Sequence, residues 1–287
     1  MRQSTSYVLA LALAGALAAP AAAQTGTLEK IRSTGTITLG YIENAAPFSF
    51  VDAKGEPQGY SAELCREIAR GIGAQLGLPK LETRWVALTI QNRLEAVSAR
   101  RVDLECSTTT WTLARQRNVD FSLITFVDGG SVLTRAGAGL GRLADLNGKR
   151  IAVIKGTTTE QALRASLARY APNAEVLTVS TRPEGFKLVE ESKVEGFAAD
   201  RTTLVGQFLA KPGSGAAYRL LDEDFSIEPY AFALPSGEHD YRLAVNRVLA
   251  RLYRTGEIAK VYDRWLGPLG PPSALLSATY FVQGISE

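Results

Sequence analysis

From Thr36 onward the chain alternates short β-branched runs with amphipathic helical stretches, and one place breaks that rhythm. Thr36 to Tyr41 reads as a strand and Tyr60 to Ala74 as a helix, with Leu64, Ile68 and Ile72 four apart and Ser61 as its N-cap. Leu81 to Val86 is the next strand, Asn92 to Ala99 a helix, and Val102 to Cys106 a strand again. This β-α-β-α-β order calls for a mostly parallel sheet covered by helices. Phe126 to Thr134 is strand-like but contains Asp128-Gly129-Gly130, where two glycines give an extended segment freedom to bend. A second alternating unit follows, with strands at Ile151 to Lys155, Ala174 to Val179 and Val194 to Ala199, and helices at Gln161 to Tyr170 and Pro183 to Glu191. A further helix starts at Leu204, Tyr230 to Leu234 returns to strand, and Asp240 to Thr255 and Glu257 to Leu266 are helices. The apolar stripe of the long one is read from Leu243, Val248 and Leu252, and the tail from Gly267 has no determined element. The fold class is therefore α/β with two lobes: residues 24–128 with 228–287, interrupted by residues 129–227. Two crossings, near Asp128 and Glu228, make a hinge, and the cleft between lobes is the expected ligand site.

The N-terminus carries an address. Arg2 is the only charge before an Ala- and Leu-rich run from Val8 to Ala19, which Pro20 breaks. Ala21-Ala22-Ala23 then offers a cleavage site, so residues 1–23 are predicted to be a secretory signal peptide cut after Ala23. The apolar run is too short to span a bilayer, and no later segment reaches the ~18–20 apolar residues that spanning needs. The residue directly after the cut is Gln24 rather than Cys, which argues against a lipid anchor. The formal charge of +3 gives no sign of nucleic acid or of a basic membrane patch. Two cysteines, Cys65 and Cys106, either pair in an oxidising compartment or sit as buried free thiols; both readings stay open. The single histidine, His239, precedes a helix without neighbouring Cys or His, and no metal site or other cofactor is expected.

The stretch from Asp103 to Arg115 carries the densest chemistry. A short apolar strand runs into Ser107-Thr108-Thr109-Thr110, and Arg115 returns one helical turn later. A planar guanidinium can hold a small carboxylate bidentately, while hydroxyls and amides supply the remaining bonds. The same residues also suit a helix N-cap run with a solvated Arg.

Several of these segments share an order and spacing with a known family. They include Pro47-Phe48-Ser49-Phe50, Gly59-Tyr60-Ser61, Gln91-Asn92-Arg93, Leu104-Glu105-Cys106, Thr108-Thr109-Thr110, Arg115-Gln116 and Phe121-Ser122. Ala144 to Lys149, Gly156-Thr157-Thr158-Thr159-Glu160, and Gly256-Glu257 through Tyr262, Arg264 and Trp265 continue the series. Together they resemble the bacterial periplasmic solute-binding proteins of family 3, which feed amino acids to ABC transporters, and within it the glutamate/aspartate-binding branch. The resemblance implies a type II periplasmic binding protein, working as a monomer with a membrane permease as partner. It also implies roles. Arg115 would clamp the ligand α-carboxylate with Thr110 and the amide of Thr158; Asp200 would take the α-ammonium with Thr108 and Thr110. Thr158 lies where a strand runs into a helix, so free N–H groups there can face an anion. Plain N-caps at Thr157 to Thr159 and a capping or surface role for Asp200 remain the alternatives.

The sequence departs from that branch where the ligand side chain is held. Of four groups in the branch, an Arg and a Ser are replaced by Ile42 and Ile90, Arg93 is kept, and a His becomes Arg182. Ala45 and Ile90 stand where other members place an aromatic platform for cationic ligands, so lysine, arginine and ornithine are not expected. Arg93 and Arg182 point to an acidic side chain, glutamate or aspartate. The opposing arrangement has Glu43 neutralising Arg93, Arg182 in solvent, and Ile42 with Ile90 lining a pocket for a neutral side chain. A dehydratase or lyase on the same scaffold is the other class of function; it would need a general acid or base such as Glu43, Lys155 or Glu184. Trp111 is a further candidate for the cleft wall.

Overall fold

The structure, a computed structural model, describes residues 26–209 and 216–286; the leader predicted at residues 1–23 lies outside the described residues. The chain runs α1 (Thr27–Thr34), β1 (Thr36–Ile42), β2 (Asn44–Ala45), β3 (Ser49–Val51), β4 (Pro57–Gln58), α2 (Tyr60–Gln75), β5 (Glu82–Leu88), α3 (Arg93–Ser98) and β6 (Leu104–Glu105). It then enters β7 (Val119–Arg135), followed by β8 (Arg150–Ile154), α4 (Thr158–Tyr170), β9 (Glu175–Val179), α5 (Arg182–Glu190), β10 (Gly196–Asp200), α6 (Arg201–Leu209) and β11 (Tyr218–Leu220). It returns through β12 (Ser226–Pro235) and closes with α7 (His239–Arg254), α8 (Glu257–Trp265) and α9 (Ala274–Gln283).

The strands hydrogen-bond in the order β5-β1-β6-β12-β7-β10-β8-β9, with β11 against β7. The outer pairs are parallel, as the alternation requires, but β12–β6, β12–β7 and β7–β10 are antiparallel, so the sheet is mixed rather than mostly parallel. The reason is β7, a strand of 17 residues that joins both halves of the sheet. It pairs with β12 straight through the crossing, Glu228 opposite Asp128 and Ile227 opposite Gly129. Gly129 and Gly130 stay within the continuous strand. They make room: a Cβ on Gly129 would run into the Asp224 side chain, and one on Gly130 into Ser226 and Phe225.

Apolar side chains gather on both faces of each half of the sheet, as two covered faces demand. On one side, Ile37, Leu39, Leu64, Ile68 and Ile72 pack with α7, and Ile42, Leu88, Val97, Val119 and Phe121 fill the other face. Beyond the crossing, Ile151, Val153, Leu163 and Leu167 form one cluster and Ala152, Ile154, Phe186 and Phe197 another. The stripe of α7 is Tyr241, Val245, Val248 and Leu252, spaced four, three and four. Leu243 sits on the opposite side of that helix and is 39% exposed. Ser61 lies inside α2 rather than capping it, and its hydroxyl donates to the Ser107 carbonyl at 2.9 Å. The tail forms α9, whose Tyr280 and Gln283 serve the backbone of Thr125 and Ile124. That is where the β7–β12 register slips, between Tyr230 and Ala233.

Cys65 and Cys106 are joined, with Cα atoms 6.2 Å apart, tying α2 to the segment that leaves β6. The bond closes a loop of sequence separation 41. Cross-linking of that span restricts the unfolded chain and stabilises the fold by about 2–4 kcal/mol. The double variant Cys65→Ser/Cys106→Ser is expected to lose that much in urea unfolding; an unchanged midpoint would rule out a stabilising bridge.

Candidate functional site

After a bend at Ser107, the segment Thr108–Thr110 runs alongside β12. Ala231 N–H donates to Thr109 O at 3.0 Å, Trp111 N–H donates to Pro229 O at 2.8 Å, and Thr110 bridges Tyr230. In an extended chain alternate side chains share a face. Thr108 and Thr110 therefore turn to the cleft between the two halves, whereas Thr109 points into the interior at 0% exposure. Arg115 follows in a short turn and donates Nη1 to Thr110 O at 2.7 Å. Arg93 opens α3, is buried, and donates Nη1 to Thr108 O at 3.3 Å.

The facing wall comes from the other half. Thr157 caps α4, its hydroxyl accepting from Glu160 N–H at 3.0 Å, so Thr158 is the first residue of that helix. Its free N–H groups and dipole favour an anion nearby. Arg182 likewise opens α5 behind the cap Thr181. Asp200 ends β10. Its Oδ1 accepts from Thr159 Oγ1 at 2.7 Å and its Oδ2 from Tyr230 OH at 2.6 Å.

The cleft is lined by Ile90, Arg93, Thr108, Thr110, Thr158, Arg182 and Asp200, together with Ile154, Thr157, Thr159, Ala198 and Ala199. Six of the seven residues singled out in the sequence thus converge. The seventh, Arg115, stands behind Thr110 and shares the field of Arg93, Glu228 and Asp200. Burial, and then the like charge of Arg93, pulls its pKa down to about 10, which leaves it protonated at neutral pH. A larger groove of about 670 Å³ lies on the far side of the crossing strands, but none of those seven residues lines it.

The walls touch. Arg182 Nη2 donates to Thr108 Oγ1 at 3.2 Å, Thr158 Oγ1 lies 3.2 Å from Thr110 Oγ1, and Gln91 Nε2 donates to Ser180 O at 3.1 Å. The remaining free volume is about 20 Å³, room on the order of one water molecule. Arg182 is only 4% exposed, yet its Nε and Nη1 have no hydrogen-bond partner among the described residues. Burial lowers its pKa, opposed by the carboxylate of Asp200. Among the described residues no carboxylate forms an ion pair with Arg93, Arg115 or Arg182. Cations buried this way are costly unless an anion meets them.

Several expectations need correction. Ile42 is in the core with Leu88 and Val97, its backbone tied to Ser49 Oγ, and does not reach the cleft; Ile90 does. Arg182 does not point into solvent, and Glu43 is exposed and forms no ion pair with Arg93 among the described residues. Lys155 and Glu184 are also exposed and outside the cleft lining. Trp111 donates Nε1 to Gln116 and leaves the cleft wall to its neighbours.

The sequence reading missed three buried groups beneath the cleft. Glu228 Oε2 accepts from both Thr110 Oγ1 and Thr158 Oγ1 at 2.6 Å, and its Oε1 accepts from Ser226 Oγ at 2.7 Å. Tyr230 OH reaches Asp128 Oδ2 at 3.2 Å as well as Asp200. Burial and the charge of Asp200 push the Asp128 carboxyl up to about 7, but Asp128 lines the rear groove, not the cleft. Glu228 and Tyr230 are two apart on one strand, so alternation could have placed both on one face. Among the described residues no cluster of His, Cys, Asp and Glu could hold a metal ion, and no helix is long and apolar enough to cross a membrane.

Residues 37–268 match the family of bacterial extracellular solute-binding proteins, family 3. The L-glutamate/L-aspartate-binding protein of Pseudomonas aeruginosa is 32% identical over 278 residues, 96% of this chain and 92% of that protein. An ancestral arginine-binding protein bound to glutamine superposes with a TM-score of 0.72 at 25% identity, covering 81% of this chain and 98% of that one. An ancestral amino acid-binding protein described as a precursor of cyclohexadienyl dehydratase gives 0.71 at 25% identity, covering 84% and 99%.

Proposed function

Because the chain belongs to family 3 of the bacterial extracellular solute-binding proteins, we propose that it is the periplasmic binding component of an ABC importer for an acidic amino acid, glutamate or aspartate. It binds without turnover, as a monomer, and delivers its ligand to a membrane permease. The observation that carries the acidic ligand is the pair of buried guanidiniums, Arg93 and Arg182, facing one cleft with no carboxylate partner among the described residues. A ligand's own α-carboxylate and α-ammonium occupy Arg115 and Asp200. Its side-chain carboxylate then meets Arg93 and Arg182, where the guanidinium fork suits it. Thr108, Thr110 and the N-terminus of α4 at Thr158 complete the set. The name of the Pseudomonas relative supports this choice. Of the two aliphatic replacements, Ile90 is the one that lines the cleft.

The enzyme reading has lost the acid and base candidates that the sequence offered, since Glu43, Lys155 and Glu184 all sit outside the cleft. The kinship with a dehydratase precursor keeps one check useful. Incubation with L-glutamate should leave it unconsumed by mass spectrometry.

The lobes divide at Asp128 and Glu228, and they must part to admit an amino acid, since the closed cleft has about 20 Å³ to offer. Ligand that bridges both walls then favours closure. Small-angle scattering tests this directly. The radius of gyration should fall on saturation with L-glutamate. A radius that stays the same would argue against a hinge at these two crossings.

A further inference from the structure

We propose that Glu228 is the positioning residue that makes this cleft read an amino group. It does so by taking the hydroxyl protons of Thr110 and Thr158, one from each wall, and leaving both oxygens to face the ligand as acceptors. The inference rests on the amino-acid reading above and adds to it a residue that touches no ligand.

A threonine hydroxyl has one proton to donate and two lone pairs to offer. Both Thr110 Oγ1 and Thr158 Oγ1 lie 2.6 Å from the same oxygen, Glu228 Oε2. The two hydroxyls are 3.2 Å from one another, so the shorter contacts to Glu228 are where both protons go. Ser226 holds the second carboxyl oxygen at 2.7 Å. Glu228 is 1% exposed, and no Lys or Arg pairs with it among the described residues. Three hydroxyls therefore satisfy it, which is what a buried carboxylate needs.

The consequence reaches the ligand. Thr110 and Thr158 line the cleft beside Asp200. With their protons committed, the two hydroxyls beside Asp200 present only lone pairs, and the amide donors at the start of α4 are the part of this wall left for an anion. An ammonium, which is all donors, fits the hydroxyls and the carboxylate; a carboxylate set against them would meet acceptors alone. The ligand carboxylates are turned instead toward Arg115 and toward Arg93 and Arg182. Thr108 is set the other way. It accepts from Arg182 Nη2 at 3.2 Å, which leaves its own proton for a ligand oxygen. Because Glu228 sits on the returning strand of the crossing, the two threonines meet it together only when the walls are closed. The discrimination is thereby switched on by closure.

The test compares an amino acid with its deaminated analogue. Calorimetry would measure L-glutamate against glutarate, and L-leucine against 4-methylpentanoate, for wild type and for Glu228→Gln. The carboxamide can donate as well as accept, so it frees threonine protons for the ligand. Wild type should prefer the amino acid strongly in whichever pair it binds. Glu228→Gln should shrink that preference at least tenfold, with the deaminated acid held as well as or better than before. Thr158→Val, which removes one of the two acceptors, should shrink it in the same direction and serves if Glu228→Gln does not fold. An unchanged preference in the variants, even with both affinities reduced, would overturn the role of Glu228 and leave the amino-acid reading standing. A wild type that binds neither amino acid better than its analogue would overturn both.

Discussion

Arg115→Ala is expected to weaken amino-acid binding by roughly 30-fold to several thousandfold, the equivalent of about 2–5 kcal/mol for one partner of a buried charge-assisted pair. The guanidinium is already fixed by its bond to Thr110 O at 2.7 Å, so little ordering is left to do when a carboxylate arrives. Its pKa, brought down to about 10 by burial and by Arg93, still leaves it charged at neutral pH. Arg115→Lys should recover only part of the loss, because a point charge cannot reproduce the two parallel hydrogen bonds. Isothermal calorimetry decides it. A Kd within a few-fold of wild type would remove Arg115 from the site.

Arg182→Met should do two things that pull in opposite directions. Affinity for L-glutamate and L-aspartate should fall at least 30-fold, since a desolvated charge pair loses one member, typically about 2–5 kcal/mol. The ligand-free protein should become more stable. Arg182 is 4% exposed with two nitrogens unpartnered among the described residues, and exchanging a buried, poorly satisfied cation for an apolar chain is often neutral or stabilising by about 1–4 kcal/mol. A thermal melt without ligand and a titration with ligand test the two halves separately. A variant that melts lower and binds glutamate as before would show that Arg182 is a structural group.

How far the sequence could be read depended on the kind of signal. The strand–helix alternation on either side of Asp128 is legible because 3.6-residue and two-residue periods leave plain marks, and Glu228 pairs with Asp128 where that pattern breaks. The direction of the central strands is not. A run that continues from Val119 to Arg135 gives no local hint that it will lie antiparallel to its neighbours. The glycines at 129 and 130 suggest bending freedom, but the sequence does not show the close approach of Asp224, Phe225 and Ser226, residues almost a hundred positions away, which also calls for glycine there. The helix from Ala274 was hidden by the Pro- and Gly-rich segment before it, and by side chains whose partners, Ile124 and Thr125, are distant in sequence. In the site, Arg93, Arg182, Thr108, Thr110, Thr158 and Asp200 could be named through the family resemblance, and the structure puts Arg93, Thr158 and Arg182 at helix starts and Asp200 at a strand end. Glu228 was passed over as part of a crossing. Its meaning depends on two hydroxyls from opposite walls, and no spacing along the chain brings those together.

The central claim is that paired guanidiniums in a closing cleft select an acidic amino acid. It is tested most directly by titrating wild type and Arg93→Met with L-glutamate, L-aspartate, L-glutamine and L-leucine. The account predicts that wild type holds one of the acids most tightly, and that Arg93→Met loses that preference by at least tenfold relative to L-glutamine. Wild type binding L-glutamine or L-leucine more tightly than either acid would contradict it.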